Sequence, residues 1–159
     1  MRSHQPPQRL LTLFNGLPVE QFYEEIPADD CPGVVIDTVL DNLESGTIER
    51  ILTSRGRHRP FYFVELSLNG KLDRRLQIAE DGTLLGRVDE MPESELPSTV
   101  KSAVTEFLDA GARFDTADHV FTSDREEFHV ELDLGNNLDL HLFLDESGML
   151  LRQHEVGDY

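Results

Sequence analysis

Residues 127–132 read Glu-Phe-His-Val-Glu-Leu, so apolar and polar side chains alternate along the stretch. This alternation is typical of a β-strand with one buried face. Residues 61–66, which read Phe-Tyr-Phe-Val-Glu-Leu, lie 66 positions earlier. The same shift matches four further positions, namely Leu76 with Leu142, Ile78 with Leu144, Gly82 with Gly148 and Leu84 with Leu150. The constant spacing predicts two copies of one supersecondary unit.

Each copy begins with a helix and continues with strands. After Pro32, and again after Pro97, apolar residues recur at helical spacing. The period then changes to two around turns at residues 69–71 and 135–137. A weaker strand before each hairpin and a closing strand after it complete the unit. The predicted fold class is therefore α+β, with two tandem repeats that each lay a helix across a four-stranded antiparallel sheet.

The same reading divides the chain into five segments. Proline and polar residues at the start are typical of a mobile tail, and Pro18 is placed to begin a short helix that Pro27 would end. The predicted segments are a tail at residues 1–16, an N-terminal segment at residues 17–31, repeat 1 at residues 32–91, a linker at residues 92–96 and repeat 2 at residues 97–159.

Composition limits the classes of partner. The 159 residues contain 14 Lys and Arg against 31 Asp and Glu, a net charge of −17, which disfavours nucleic acid and anionic lipid and favours cationic proteins or metal ions. No apolar run is long enough for membrane insertion. Cys31 is the only cysteine, which excludes an intrachain disulfide. The apolar run at residues 10–14 is too short for a secretion signal, so we expect either a cytoplasmic protein or the loss of a signal peptide.

A set of packing and turn residues carries a resemblance to a known family. The set comprises Pro32, Val35, Val39, residues 62–66 and 78–85, Pro97, Val100, Val104, and residues 128–132 and 142–151. In this pattern the chain resembles the PepSY-like domains of bacterial envelope proteins, which share the fold of the β-lactamase-inhibitor proteins. The resemblance implies a non-catalytic, periplasmic or secreted protein that binds or restrains other proteins. In the inhibitor proteins, paired units form a concave sheet that grips an enzyme.

The two copies differ most at the strand positions that face outward in the predicted repeats. Seven of the 14 basic residues lie between positions 50 and 75, close to two phenylalanines on the outward face. Aromatic and arginine side chains are enriched at protein interfaces. The candidate partner-binding residues are Phe61, Phe63, Arg55, Arg57, Arg59 and Arg75. The alternative interpretation is that the N-terminal segment covers the phenylalanines and that Arg75 pairs across the strands with Glu65.

Arg74 interrupts the apolar face between Leu72 and Leu76. Burying its charge without a partner would cost several kcal/mol. We favour a position near the sheet edge, from which the guanidinium reaches solvent over its aliphatic stem. The other interpretation is a ligand contact or an ion pair with a neighbouring element.

On the corresponding face of the second copy, the hairpin register places Glu131 opposite His141, with His129 on the adjacent diagonal. Two imidazoles and a carboxylate are competent zinc ligands. A solvated polar face carries the same residue types, however, so we predict no metal site and no cofactor, with His129, Glu131 and His141 as the weak candidates. Phosphate loops, dinucleotide fingerprints, nucleophile elbows and zinc-protease motifs are absent, and we therefore predict no enzymatic activity.

Two functions remain open. The first is a non-enzymatic protein-binding module, inhibitory or scaffolding, in the bacterial envelope. The second is a cytoplasmic acidic protein, chaperone-like or immunity-type, that neutralises a basic partner. Both imply a protein partner, which could also be a second copy of the chain.

Overall fold

The computed structural model describes residues 23–54, 60–69 and 72–157. These residues form two compact units, of which the first ends at Val88 and the second begins at Asp89. The elements in chain order are β1 (Tyr23–Glu25), α1 (Gly33–Leu43), β2 (Thr47–Ser54), β3 (Phe61–Leu68), β4 (Leu72–Ala79), β5 (Leu84–Met91), α2 (Ser98–Asp109), β6 (Arg113–Thr122), β7 (Glu126–Gly135), β8 (Leu138–Leu144) and β9 (Leu150–Gly157). Neither helix of this described part has the length and apolar content needed to cross a bilayer.

The strands form one nine-stranded antiparallel sheet in sequential order from β1 to β9. The prediction of two tandem helix-plus-four-stranded repeats is therefore wrong. The periodicity of 66 residues identifies strands but does not say what lies at the edge of each closing strand. An exposed edge presents unpaired N–H and C=O groups, and pairing with a further strand satisfies them. A continuous sheet is one solution to that requirement, and local sequence patterns do not encode it.

The N-terminal segment also differs from the prediction where the structure describes it. Tyr23–Glu25 form strand β1, which pairs with β2 through Tyr23 opposite Ser54, whereas the sequence predicted a short helix before Pro27. A short 3-10 helix follows at Ala28–Asp30. The wider division into tail, repeats and linker stays a prediction.

In the first unit, helix α1 covers one face of β2, β3 and β4. Val35 and Val39 point from the helix into a core formed with Val64, Leu76 and Ile78. The spacing of four residues places both valines on one helix face. Cys31 lies at the edge of this core, where burial raises the pKa of its thiol, in keeping with a packing role.

Arg74 lies on this helix-covered face and is buried, so the favoured prediction of a solvent-directed side chain is wrong. Its Nη1 donates to the Asn42 carbonyl at 2.9 Å and lies 3.3 Å from Glu44 Oε1, just beyond the end of α1. The last carbonyls of a helix lack partners within the helix and attract positive charge. Arg74 therefore joins β4 to the C-terminus of α1.

We expect Arg74→Met to lower the free energy of unfolding by about 1–3 kcal/mol, because the helix end loses a charged donor. Methionine keeps most of the aliphatic packing, so the change reports mainly on the guanidinium. The matched control is Arg113→Met, because the Arg113 side chain is exposed and its ion pair with Asp133 should contribute much less to stability. Urea unfolding measures both variants. Equal stability of Arg74→Met and the wild type would contradict the assignment.

In the second unit, helix α2 covers the corresponding face of β6, β7 and β8. Val100 and Val104 pack on Phe128, Val130 and Leu142. The predicted register of the hairpin is confirmed, since Glu131 lies opposite His141. The turn between β7 and β8 is completed by Asn136 and Asn137, both at positive φ, with a register shift at Gly135.

Carboxylates organise the two turns that flank β8. Asp133 accepts a hydrogen bond from the Gly135 amide at 2.7 Å, and this bond, with the Arg113 ion pair, holds the pKa of Asp133 below its usual value. Asp145 accepts bonds from Ser147 and Met149, which lower its pKa in the same way. Both turns are therefore fixed by ionised side chains as well as by the backbone.

Candidate functional site

The face of the second unit that lies opposite α2 carries a row of histidines. His129 and Glu131 are two residues apart on β7 and therefore point to the same face. His141 on β8 lies directly opposite Glu131, and His154 on β9 lies opposite His141. Asp118 on β6 lies opposite His129. Four neighbouring strands thus contribute to one cluster, which we call the histidine cluster: Asp118, His129, Glu131, His141 and His154.

Three members of the histidine cluster bring ligand atoms together. His129 Nε2 and His141 Nδ1 are hydrogen-bonded at 2.9 Å, and His141 Nδ1 lies 3.6 Å from Glu131 Oε1. One ligand atom from each of the three residues fits within a mutual distance of 4.8 Å. The weak metal candidates of the sequence are therefore close in space.

The cluster is not the solvated face that the sequence predicted. His129 is only 3% exposed and Asp118 is fully buried, while Glu131 and His141 are half-buried. Phe143 covers His129 by parallel stacking, with ring centroids 4.4 Å apart and planes at 6°. The ring of His154 stacks on His141 at 5.5 Å. Aromatic contacts therefore fix the orientation of the imidazoles.

A buried carboxylate and an arginine complete the surroundings of the cluster. Asp118 Oδ2 lies 4.0 Å from His129 Nδ1, on the side of the ring away from His141. Arg152 stacks over Phe143 at 4.3 Å and binds the buried carboxylate of Glu127 at 3.0 Å. Glu127 also lies 3.7 Å from Arg125, so one carboxylate is shared by two arginines. Nothing in the local sequence pattern indicated roles for Asp118 or Phe143.

The aromatic residues of the proposed partner-binding patch are largely covered. Phe63 is 1% exposed and contacts Tyr23 of β1 edge to face, with centroids 4.8 Å apart. Phe61 is half-buried. At Phe63 the structure agrees with the alternative interpretation, in which the N-terminal segment covers the ring. Residues 55–59, with Arg55, Arg57 and Arg59, lie outside the described residues, so partner binding by this patch stays a prediction.

Arg75 is buried, with 7% of its surface exposed. It lies opposite Glu65 in the strand register, as expected, but the carboxylate of Glu65 takes two hydrogen bonds from Arg50, each at 3.0 Å. The neighbouring strand β2 therefore supplies the closest arginine to Glu65. An interpretation based only on the β3–β4 hairpin does not include Arg50, which lies on β2.

Strand β9 is the terminal strand of the sheet and is exposed on both faces. All seven residues from Leu150 to Val156 are exposed. Met149, which directly precedes the strand, is 58% exposed. Four exposed apolar side chains therefore lie within eight residues: Met149, Leu150, Leu151 and Val156. Sequence reasoning predicted this strand but not that its apolar residues reach the surface.

Solved structures with the same fold come from Bacteroides species. A BLIP-like protein of Bacteroides fragilis superposes with a TM-score of 0.64 and 17% identity, over 84% of this chain and 90% of that one. A DUF2874 family protein of Bacteroides ovatus gives 0.64 and 18%, over 82% and 92%. A Bacteroides eggerthii protein inferred to be periplasmic gives 0.64 and 16%, over 79% and 88%. No family model and no curated protein matches the chain.

These similarities confirm the predicted β-lactamase-inhibitor-like fold. They do not confirm that the chain is PepSY-like or that it contains tandem repeats, and at this level of identity they concern the fold alone.

Proposed function

We propose that this chain is a non-enzymatic protein-binding module of the bacterial envelope, with an inhibitory or scaffolding role. A periplasmic location and the PepSY-like assignment are part of the proposal. The BLIP-like fold supports it, as does the neighbour inferred to be periplasmic. The observation that carries the binding role is the exposed strand β9.

Strand β9 has the properties of a strand that accepts a further strand. It ends the sheet, and its outer edge pairs with no other strand among the described residues. Strand addition uses main-chain hydrogen bonds for affinity and alternate side chains for specificity. The exposed apolar residues Leu151 and Val156 would supply buried area. The partner in this proposal is an extended protein segment that adds beside β9.

The proposal predicts that charge placed on β9 weakens partner binding. We expect Leu151→Lys with Gln153→Lys to reduce retention of the partner at least tenfold, because lysines on an edge strand disfavour pairing. The matched control adds the same charge on the exposed face of α2, as Ser102→Lys with Thr105→Lys, and should bind like the wild type. The measurement is affinity capture from an envelope extract of the source cell, with each immobilised variant checked for folding by circular dichroism.

Two results would contradict this proposal. One is a partner that the β9 variant retains as well as the wild type, and the other is a wild-type protein that retains nothing. Light scattering measures the solution mass of each protein. If the wild type and the α2 variant are dimers and the β9 variant is a monomer, the partner is a second copy of the chain.

The net charge of −17 supports a second candidate, an acidic protein that neutralises a basic partner. Ionic strength separates the two candidates. Charge-driven binding should weaken markedly between low salt and 0.5 M salt, because exposed charges are screened. Strand addition with apolar burial should persist.

A further inference from the structure

We infer that the histidine cluster of the second unit is a binding site for a divalent transition-metal ion, with zinc as the best-fitting member. The ligands are His129 Nε2, His141 Nδ1 and a carboxylate oxygen of Glu131. This inference is independent of the proposed protein-binding role, since it rests on the geometry of β6, β7 and β8 alone.

The donor atoms already converge. Two nitrogens bound to a tetrahedral zinc at about 2.0–2.1 Å lie about 3.3–3.4 Å apart. The two imidazole nitrogens are 2.9 Å apart, and His141 Nδ1 is 3.6 Å from Glu131 Oε1. The ring centroids are 5.1 Å apart, close to the N···N distance plus the two ring radii, so the two nitrogens point almost directly at each other. To reach a tetrahedral zinc geometry, the two rings must move apart by about half an ångström and tilt, and the Glu131 side chain must rotate toward them. Three protein ligands leave the fourth position to water.

The hydrogen bond between the rings is a contact that a metal ion can replace. When His129 Nε2 and His141 Nδ1 bond to each other, one nitrogen donates and the other accepts, so one proton lies between them. A zinc ion in that place binds both lone pairs. The proton of whichever ring donates then moves to the other nitrogen of that ring, so that both rings stay neutral.

Asp118 supports the ring form that this arrangement requires. Its buried carboxylate lies 4.0 Å from His129 Nδ1, the nitrogen that faces away from the ligand position, so an approach of about 1 Å is needed to form the hydrogen bond. Metal-bound histidines usually direct the other ring N–H to a carboxylate, which fixes the tautomer and strengthens the ligand. Asp118 is thus a positioning residue. It lies on β6, whereas the ligands lie on β7 and β8.

The chemistry of the donors selects the class of ion. Imidazole nitrogens suit zinc, copper and nickel, whereas calcium and magnesium require oxygen ligands. The negative charges of Glu131 and Asp118 favour a cation, while the nearby Glu127 carboxylate is shared by Arg152 and Arg125. Burial of His129 beneath Phe143 excludes water from one side of the site.

The test is a titration of the full chain, treated with a chelator and dialysed, with zinc chloride alone. Competition against a chromophoric chelator should give one zinc per chain with a micromolar or tighter dissociation constant, and the thermal midpoint should rise with zinc because binding to the folded form stabilises it. His141→Gln should weaken binding at least 100-fold, and Glu131→Gln at least tenfold. Asp118→Asn should weaken it about 10–100-fold.

The matched control is His119→Gln, which removes an imidazole that bonds Glu126 and lies outside the histidine cluster, and it should leave affinity within about threefold of the wild type. Cobalt added in place of zinc should give the intense visible absorption of a four-coordinate site in the wild type and not in His141→Gln. Circular dichroism checks folding, and Glu131→Gln, at a half-buried position, serves if His141→Gln does not fold. Absence of stoichiometric binding by the folded wild type, or equal binding by the ligand variants, would overturn the assignment.

Discussion

Replacing Phe63 by Ala should lower the free energy of unfolding by about 3–5 kcal/mol, because a buried aromatic side chain is lost and a cavity remains. The side chain is 1% exposed and its ring contacts Tyr23 edge to face. Tyr23→Ala should couple to it by about 0.5–1.5 kcal/mol in a double-mutant cycle, the range for aromatic pairs. Urea unfolding of the two single variants and the double variant gives these values.

This result also decides the role of the phenylalanine pair. Phe61→Ala is the control on the same strand, and its half-buried side chain should cost less than Phe63→Ala. Solution mass is measured in parallel. If the Phe63→Ala protein keeps its stability but no longer self-associates, the ring belongs to an interface. That result would contradict its assignment to the protein's own core.

The second large effect is expected at Gly148, in the turn between β8 and β9. Its φ of +87° is unfavourable for other residues, and a Cβ there would overlap the backbone carbonyl of Thr99 at the start of α2. Thr99 also donates to the Glu146 carbonyl at 2.6 Å, so the turn cannot easily move away. Gly148→Ala should therefore lower the free energy of unfolding by about 2–4 kcal/mol.

Gly135→Ala is the matched control for this change. Its φ of +83° is nearly the same, but a Cβ there meets nothing within 4 Å. It should cost only about 1–2 kcal/mol, the backbone share of the effect. Denaturant unfolding compares the two variants, and equal losses would mean that the turn yields to the added methyl group without a clash.

The sequence contained enough information for the strands and their partners within hairpins. Period-two alternation in residues 61–66 and 127–132 correctly predicted β3 and β7, and the same alternation fixed Glu131 opposite His141. Side-chain period and turn residues act over a few positions, so a local pattern is sufficient to predict them. The β-lactamase-inhibitor-like fold was recognisable for the same reason.

The sequence was less informative about the candidate sites, because burial depends on what covers a face. The three potential metal ligands were predicted to be neighbours, yet their face was expected to be solvated. Phe143 and Asp118, which lie directly opposite His129 on the two strands that flank β7, bury its ring, and strand period alone does not predict this burial. The sequence likewise did not decide whether Phe63 lies on the surface or in the core. In the structure, Tyr23 of β1 packs against its ring.

By itself, then, the sequence determined strands β2 to β9, the helical faces and the hairpin registers, since each follows from the chemistry of residues close along the chain. Only the tertiary structure decided that the strands join in one sheet, that Arg74 binds the end of α1, and that β9 exposes its apolar residues. Backbone groups at a strand edge and side chains on a sheet face take whichever partner the rest of the chain brings to them, and no local period specifies that partner.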